Sequence, residues 1–471
     1  APVPGNCLRV KPQIMPKLDL STSPRAIWHL TWPQMLMMYL MFFTGFIGVW
    51  VAGQISSNVQ ASLGLVTQCA MFLMVVIMAV SSGATACISQ SLGAGRMIRA
   101  QLYIFSTIVG SLLLGVLIAI PGWIFEDRIL HLVQMPEDLM PISRDIWKIA
   151  VLTLPVQYVN SATGVMFRAT RMVMPPLFVA AIVCVINLFL NLGLGLGFFG
   201  FPNYSYQGLM WANMFSQIIG SILNLVLLKR SGYLQFNVLP TPAWLKGAMP
   251  YLIRVALPAG AASIVWQSGY LTLFVLVASL PTGSIAALAG LTAGLRAEGL
   301  IFMPSMALQM TTSILVGNSL GQGKPEQARA LGLRMAMVGA LAMTVMAAVL
   351  WPFRQEMAEI LSQEVETQAQ IVSYLSYNLA GTPFSIASQI MGGIMVGAGA
   401  TQYNLVIYGG TFWAVRLPLG WLLGHKLWGT ASGIFAAMII SQIIQATIML
   451  CAVKYCNWMR FAMKVGKNRT S

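Results

Sequence analysis

Of 471 residues, 57% are hydrophobic and only 8% are charged, whereas about a quarter of the residues in a soluble domain carry charge. Water is thereby excluded as the main solvent. The formal charge of +15 would suit nucleic acid, but the placement of the cations accounts for it without a polyanionic partner.

A helical crossing takes about 20 mostly apolar residues. Runs of that kind lie near residues 32–53, 63–86, 103–125, 147–167, 177–200, 208–229, 251–279, 288–316, 331–353, 371–396, 403–424 and 433–454. The expected fold is an all-α polytopic membrane protein with twelve transmembrane helices. Ahead of the first run, the tract to Leu30 has no continuous apolar core, so no cleaved signal peptide is read there. Its prolines, Pro2, Pro4, Pro12 and Pro16, suit a mobile tail.

With an even number of crossings, 20 of the 27 Lys and Arg residues fall on the side of both termini, among them Arg96, Arg99, Arg168, Arg171, Lys229, Arg230, Lys324 and Arg329. The opposite side receives Arg128, Arg144, Lys148, Arg354 and Lys426, together with nine of the 12 acids. Cytoplasmic loops carry such an excess of Lys and Arg, so both ends are expected in the cytoplasm of a cell whose inner membrane holds the protein.

Comparison of the two halves exposes a duplication at an offset of about 225 to 229 residues. The run SQSLGAGR at 89–96 answers GNSLGQGK at 317–324. Pro33 answers Pro258, and Pro155 answers Pro383. In spans 6 and 12, Gly208, Ala212, Ser216 and Gln217 answer Gly433, Ala437, Ser441 and Gln442. Six crossings per half leave both halves with the same orientation, as parallel repeats about an axis along the membrane normal. The expected division is a tail at 1–26, a six-helix lobe at 27–230, a cytoplasmic linker at 231–248, a second lobe at 249–455 and a basic tail at 456–471. The two pseudo-symmetric lobes are expected to enclose a central cavity. Most of the 43 glycines read as small residues that let helices approach. The four paired prolines each free a carbonyl within a span; structural kinks and hinges for alternating access are both open readings.

At 317–329 the run GNSLGQGKPEQAR resembles the loop after the eighth helix of multidrug and toxic compound extrusion transporters. Leu257-Pro258, Arg296-Ala297-Glu298 with Phe302 and Pro304, and Arg416-Leu417-Pro418 are similar to that family as well. The resemblance covers about residues 25–455. It implies two six-helix lobes facing across a cavity and efflux driven by a proton or sodium gradient. The superfamily also contains flippases, so the fold alone does not fix the cargo. Two family aspartates are replaced: the position fifteen residues after Pro33 is Gly48, and the span-5 pattern reads Asn187 and Asn191. An amide accepts hydrogen bonds but does not titrate near neutral pH, which weakens the case for coupling through the first lobe.

Of the 12 carboxylates only Glu298 falls deep in a span. A charge there costs about 2.5–3.5 kcal/mol on insertion scales, so the position suits a group that loads and releases a cation, or a structural pair with a cation. Arg296, two residues away on a helix, points nearly opposite; Arg416 is the better partner. Together these residues leave one positive charge in excess, which admits neutral, zwitterionic or anionic cargo as readily as cationic. Gln34, Gln157, Asn160, Asn187, Asn191, Gln267, Asn378 and Gln389 are further cavity-lining candidates, each equally readable as helix-to-helix glue. The ion-coupling or cargo-binding set is therefore Glu298, Arg296, Arg416, Gln34, Asn187, Asn191, Gln267 and Asn378.

Trp28, Trp32, Trp123 and Trp351 lie near span ends and read as interfacial anchors. The outer segments 126–145 and 354–370 are expected to form short surface helices. The triplet Asn468-Arg469-Thr470 fits a glycosylation acceptor that topology places inside the cell. Cys7, Cys69, Cys87, Cys184, Cys451 and Cys456 are scattered and have no metal spacing, so no metal and no cofactor beyond a coupling proton or sodium ion is expected. Expected partners are a small organic substrate and membrane lipids, without nucleic acid, for a chain acting as a monomer. A major-facilitator carrier is the first rival, but residues 89–101 lack the aspartate usual in its 2–3 loop. A flippase for a lipid-linked precursor is the second. An enzyme would need catalytic groups at bilayer depth, and His29, His131 and His425 all lie at span ends.

Overall fold

Lipid offers no partner to a backbone N–H or C=O, so a spanning segment must satisfy its own polar groups. The computed structural model, described here for residues 23–132, 135–235 and 239–463, is helical throughout, with no strand among the described residues. Cys7, the N-terminal prolines and Asn468–Thr470 fall outside those residues.

Among the described residues, twelve helices are long and apolar enough to cross a membrane. In the first half they are α1 (Pro24–Ile55), α2 (Ser57–Gly93), α3 (Met97–Ile124), α4 (Glu137–Ala169), α5 (Met174–Gly195) and α6 (Ser205–Arg230). In the second half they are α7 (Pro242–Ala278), α8 (Ser284–Gly321), α9 (Pro325–Leu361), α10 (Val365–Ala398), α11 (Thr401–Leu427) and α12 (Ala431–Tyr455). Several outrun the apolar segments seen in the sequence. The polar, small-residue end of α2 and the stretch Pro242–Pro250 that opens α7 stay helical, so the helix starts inside the stretch read as a linker at 231–248. Of the two outer segments, 126–145 contains the separate helix Glu126–Leu132, while Arg354–Leu361 extends the end of α9.

Local signals set several ends. Ser23 caps α1, its hydroxyl accepting from Ala26 N at 3.2 Å with Pro24 in the first turn. α2 and α8 close with the same turn. Gly95 (φ 70) and Gly323 (φ 73) take left-handed conformations, and the next N–H reaches back to Ser91 O (2.9 Å) or Ser319 O (3.0 Å). These are the two copies of the duplicated loop motif, so the repeat holds at the level of backbone hydrogen bonds.

The chain separates into two compact units, one formed by residues 1–92 and 96–253, the other by 93–95 and 254–471. In the first, α4 packs on α3 and α6, and α5 on α1 and α6. Gly115 of α3 meets α4 so closely that a Cβ would lie 2.6 Å from Pro155 Cα. In the second unit α10 packs on α8, α9 and α12. The buried share of the most apolar stretch is 61% for α10 and 56% for α8 and α12, against 17% for α1, α2 and α7. The second unit is therefore built around three inner helices, and a polar group on their facing sides is shielded from lipid.

All five cations assigned to the outer side are held. Lys148 lies over Trp123 (5.9 Å), Arg128 over Phe125 (5.5 Å), Arg354 over Trp351 (4.7 Å) and Lys426 over Trp421 (5.4 Å). Arg144 pairs with Asp127 at 2.6 Å.

α1, α4, α7 and α10 run through Pro33, Pro155, Pro258 and Pro383 without a break. Because proline lacks an N–H, each leaves the carbonyl four residues earlier without its helical donor. Replacing Pro33 by alanine returns that donor. A hinge role predicts slower transport by Pro33→Ala protein of unchanged yield and thermal stability; an unchanged rate in proteoliposomes would remove the hinge role at this position.

Candidate transport site

In α8 and α10 glycines sit where the helices cross. Gly290 of α8 leaves no room for a Cβ beside Gln370 (2.5 Å), and Gly294 leaves none beside the ring of Tyr374. Toward the other end, Gly393 and Gly397 of α10 lie directly on Gln309 O and Ser313 O of α8. Both pairs have the small-xxx-small spacing that lets helix backbones meet in lipid. Within this close crossing Tyr374 occupies the space left by Gly294, and its hydroxyl donates to Glu298, one turn further along α8. Asn378, one turn after Tyr374, donates from Nδ2 to the same oxygen, Glu298 Oε2, at 2.5 Å. Asn378 Oδ1 in turn accepts from Gln442 Nε2 of α12 at 3.2 Å. The sole deep carboxylate is thus the end of a chain of hydrogen bonds that ties together the three inner helices.

Arg416 lies on α11 in a π-helical turn, Thr411–Arg416, a geometry often found at functional positions. Only 2% of its surface is exposed. Its Nε donates to Ser441 Oγ of α12 at 2.8 Å, and Nη1 is buried with no hydrogen-bond partner. The guanidinium stacks over Phe412 (4.5 Å) and Trp266 (5.7 Å). Tyr270 completes the aromatic wall, its ring 5.2 Å from Phe412 and 5.4 Å from Trp266. α7 admits this cluster because Gly269 gives way to the Phe412 ring, which a Cβ would meet at 2.6 Å.

Glu298 and Arg416 are the charged side chains of these two groups. No ion pair joins the two among the described residues. The contact expected from the sequence is absent because each charge has been given a neutral partner, Glu298 the tyrosine and the asparagine, Arg416 the serine and two aromatic faces. Tyr374 and Asn378 also line a narrow crevice together with Tyr377, Phe435, Met438 and Ile439.

The remaining candidates are arranged differently. Arg296 is exposed on α8 and Gln267 half-buried on α7, next to Trp266. Gln389 accepts from Ser305 Oγ at 2.6 Å. In the first unit Gln34 is buried and donates to Leu30 O at 2.8 Å. Asn191 donates to Asn187 Oδ1 and to Asn187 O, both at 2.8 Å, and opens the π-helical turn Asn191–Gly195. Asn160 of α4 bonds Gln217 (2.7 Å) and Asn224 (2.9 Å) of α6. At the repeat offset of 225, Asn191 corresponds to Arg416 and Gln217 to Gln442. The same scaffold therefore keeps a glutamine at one of these places in both halves and exchanges an asparagine for an arginine at the other.

Sequence reasoning missed Tyr374, Tyr270, Phe412, Trp266 and the supporting Gly294. A tyrosine one turn before Asn378 was the only available sign. Ser441 and Gln442 are visible in the sequence as repeat matches, but not as the partners of Arg416 and Asn378 respectively. Gly294→Ala is expected to push Tyr374 off Glu298 and to lower transport several-fold with α8 still folded. Comparing it with Tyr374→Phe checks this, since both changes remove one bond to the carboxylate and should give similar defects.

The MatE family model matches residues 33–192 and 258–422, about two-thirds of the chain, in two stretches that begin at the paired residues Pro33 and Pro258. The chain belongs to the MatE family. Among curated relatives, the probable multidrug resistance protein NorM of Thermotoga maritima is 22% identical over 95% of this chain and 96% of its own. The multidrug resistance protein PmpM of Pseudomonas aeruginosa is 24% identical over 92% and 91%. Among solved structures, the MATE transporter VcmN of Vibrio cholerae, in mutant form, superposes with a TM-score of 0.83 at 20% identity, covering 91% of this chain and 95% of that one. This MatE protein is thus an integral multi-pass membrane protein of a transporter family.

Proposed function

We propose that this MatE transporter exports small organic molecules, drug-like or metabolite, across the cytoplasmic membrane in exchange for protons, with Glu298 as the coupling carboxylate. Names of the relatives, which are multidrug resistance proteins, support the cargo class. The observation that carries the coupling assignment is the pair of donors on one carboxylate oxygen: Tyr374 and Asn378, both from α10, meet Glu298 Oε2 of α8. A proton on the carboxyl group removes the negative charge that strengthens both bonds, so the loaded and empty forms favour different packings of α8 against α10. A ligand that binds two packings unequally shifts the balance between them, as alternating access requires. A sodium ion would instead need several oxygen ligands turned toward it, and the groups meeting Oε2 are donors.

The 20 to 5 split of cations supports cytoplasmic termini in an inner membrane. The reading needs no cofactor beyond the coupling ion, no catalytic group and no nucleic acid, and a single chain in lipid carries every residue it invokes.

The test is uptake of a fluorescent organic cation by proteoliposomes, with pH and sodium gradients imposed separately. Accumulation is expected in vesicles with an acid lumen and not under a sodium gradient alone. Sodium-driven uptake would overturn proton coupling, and uptake under neither gradient would overturn secondary active efflux.

A further inference from the structure

Where α4 ends in the first unit, two arginines break the internal repeat. At the offset of 228 that relates Pro155 to Pro383, Arg168 stands where the second half has Val396, and Arg171 where it has Gly399. Both turns close their helix in the same way. Arg171 N bonds Arg168 O and Met172 N bonds Phe167 O, each at 2.9 Å, just as Gly399 N bonds Val396 O (3.0 Å) and Ala400 N bonds Met395 O (2.8 Å). The closing residue is left-handed in both, with φ 60 at Arg171 and φ 76 at Gly399. Glycine takes that conformation freely, whereas a residue with a Cβ is crowded in it. An arginine here therefore serves something other than the turn.

Arg168 lies over Gly164, one turn back along α4, with Nη1 3.3 Å from where a Cβ on that glycine would stand. Its side chain runs inward along the helix, the direction in which Cα–Cβ bonds tilt, instead of reaching out to water as a long cationic side chain commonly does. The residue is half-buried, and among the described residues its guanidinium has neither a hydrogen bond nor an ion pair. In the second half the equivalent glycine, Gly392, is covered by the neutral Tyr408 hydroxyl.

Among the described residues no acid of the first unit shares this end. Asp145, Asp138 and Glu137 sit at the opposite end of α4, with Asp145 about 35 Å from Arg168 at about 1.5 Å per residue. Glu126 and Asp127 lie with them, beside Arg144. α6 runs parallel to α4, since Tyr206 meets Asp145 and Asn224 meets Asn160, so Lys229 and Arg230 at its close add to the charge near Arg168. α5, which follows the turn directly, turns Phe178, Ile182 and Val185 outward, an apolar stripe fit for acyl chains.

We propose that the turn at Arg168 and Arg171 holds the phosphate of an anionic lipid, with the two guanidinium groups on its oxygens and the acyl chains along the outward stripe of α5. A guanidinium presents parallel donors that match phosphate oxygens, and basic sites among spanning helices take such headgroups. The site is separate from the Glu298 cluster and owes nothing to the cargo or the coupling ion.

The test is native mass spectrometry of purified protein titrated with phosphatidylglycerol or phosphatidylcholine of equal chain length. Wild-type protein is expected to hold phosphatidylglycerol about tenfold more tightly, the equivalent of about 1.4 kcal/mol. Arg168→Gln and Arg171→Gly should each bring the ratio close to one. Arg171→Gly should do so with a melting temperature in detergent at or above that of wild type, because glycine suits the left-handed turn. If Arg168→Gln protein does not fold, Arg171→Gly decides alone. A preference kept by Arg171→Gly, or no preference in wild type, overturns the site. A lowered melting temperature for Arg171→Gly gives that arginine a structural role and overturns it as well. Displacement of bound phosphatidylglycerol by millimolar inorganic phosphate overturns the lipid as occupant in favour of the free ion.

Discussion

Glu298→Gln protein is expected to lose gradient-driven accumulation altogether while remaining folded and able to bind cargo. One pH unit is worth about 1.36 kcal/mol, so one-for-one exchange across a one-unit gradient supports about tenfold accumulation in wild-type vesicles. Without a titrating group the ratio falls to one. Glutamine keeps the length of the side chain and an oxygen that can accept from Tyr374 or Asn378, so the crossing of α8 and α10 persists and the defect is chemical. The measurement is steady-state accumulation in acid-lumen proteoliposomes at matched protein density. Accumulation by the variant at the wild-type ratio would remove Glu298 from the coupling step.

The largest structural effect is expected from valine at Gly393 or Gly397. Each glycine of α10 lies on a backbone carbonyl of α8, at Gln309 or Ser313. A carbonyl in a helix cannot swing away as a side-chain tip can. Overpacking of a well-packed interior costs about 1–3 kcal/mol per site. A branched side chain against backbone belongs at the upper end, and the two sites, one turn apart on one interface, will not behave independently. Forcing α8 from α10 also draws Glu298 from Tyr374 and Asn378, so lower thermal stability and lost transport should appear together. Gly110→Val is the control, because a Cβ there meets nothing within 4 Å. Equal destabilisation at Gly110 and Gly393 would show that close approach is not the cause.

How much of this was readable beforehand follows from the physics of each signal. Bilayer thickness and the cost of buried charge act through composition, so the number of spans and the singular position of Glu298 stand out in the sequence. The duplication is also legible, because Gly95 and Gly323 must repeat wherever the same left-handed turn repeats. Partner choice is not. Arg416 draws on Ser441, Phe412 and Trp266 rather than on Glu298 because the π-helical turn at Thr411–Arg416 sets the direction of its side chain, and no residue in that segment announces the extra residue per turn. Tyr374 reads as one more aromatic in an apolar span until Gly294 is seen to make room for it. The replacement of family aspartates by Gly48 and Asn191 pointed away from the first half. The bonding of Asn191 to Asn187 fits that, since both amides are engaged with each other.

Counterflow and accumulation measured in the same vesicles test the central claim, that Glu298 links cargo movement to the proton gradient, most directly. Exchange of labelled for unlabelled cargo needs only alternating access, whereas accumulation also needs the link. The account predicts that Glu298→Gln protein sustains counterflow with no gradient present and accumulates nothing when one is imposed. Variant protein that still accumulates cargo, or that loses counterflow and accumulation together, would contradict it.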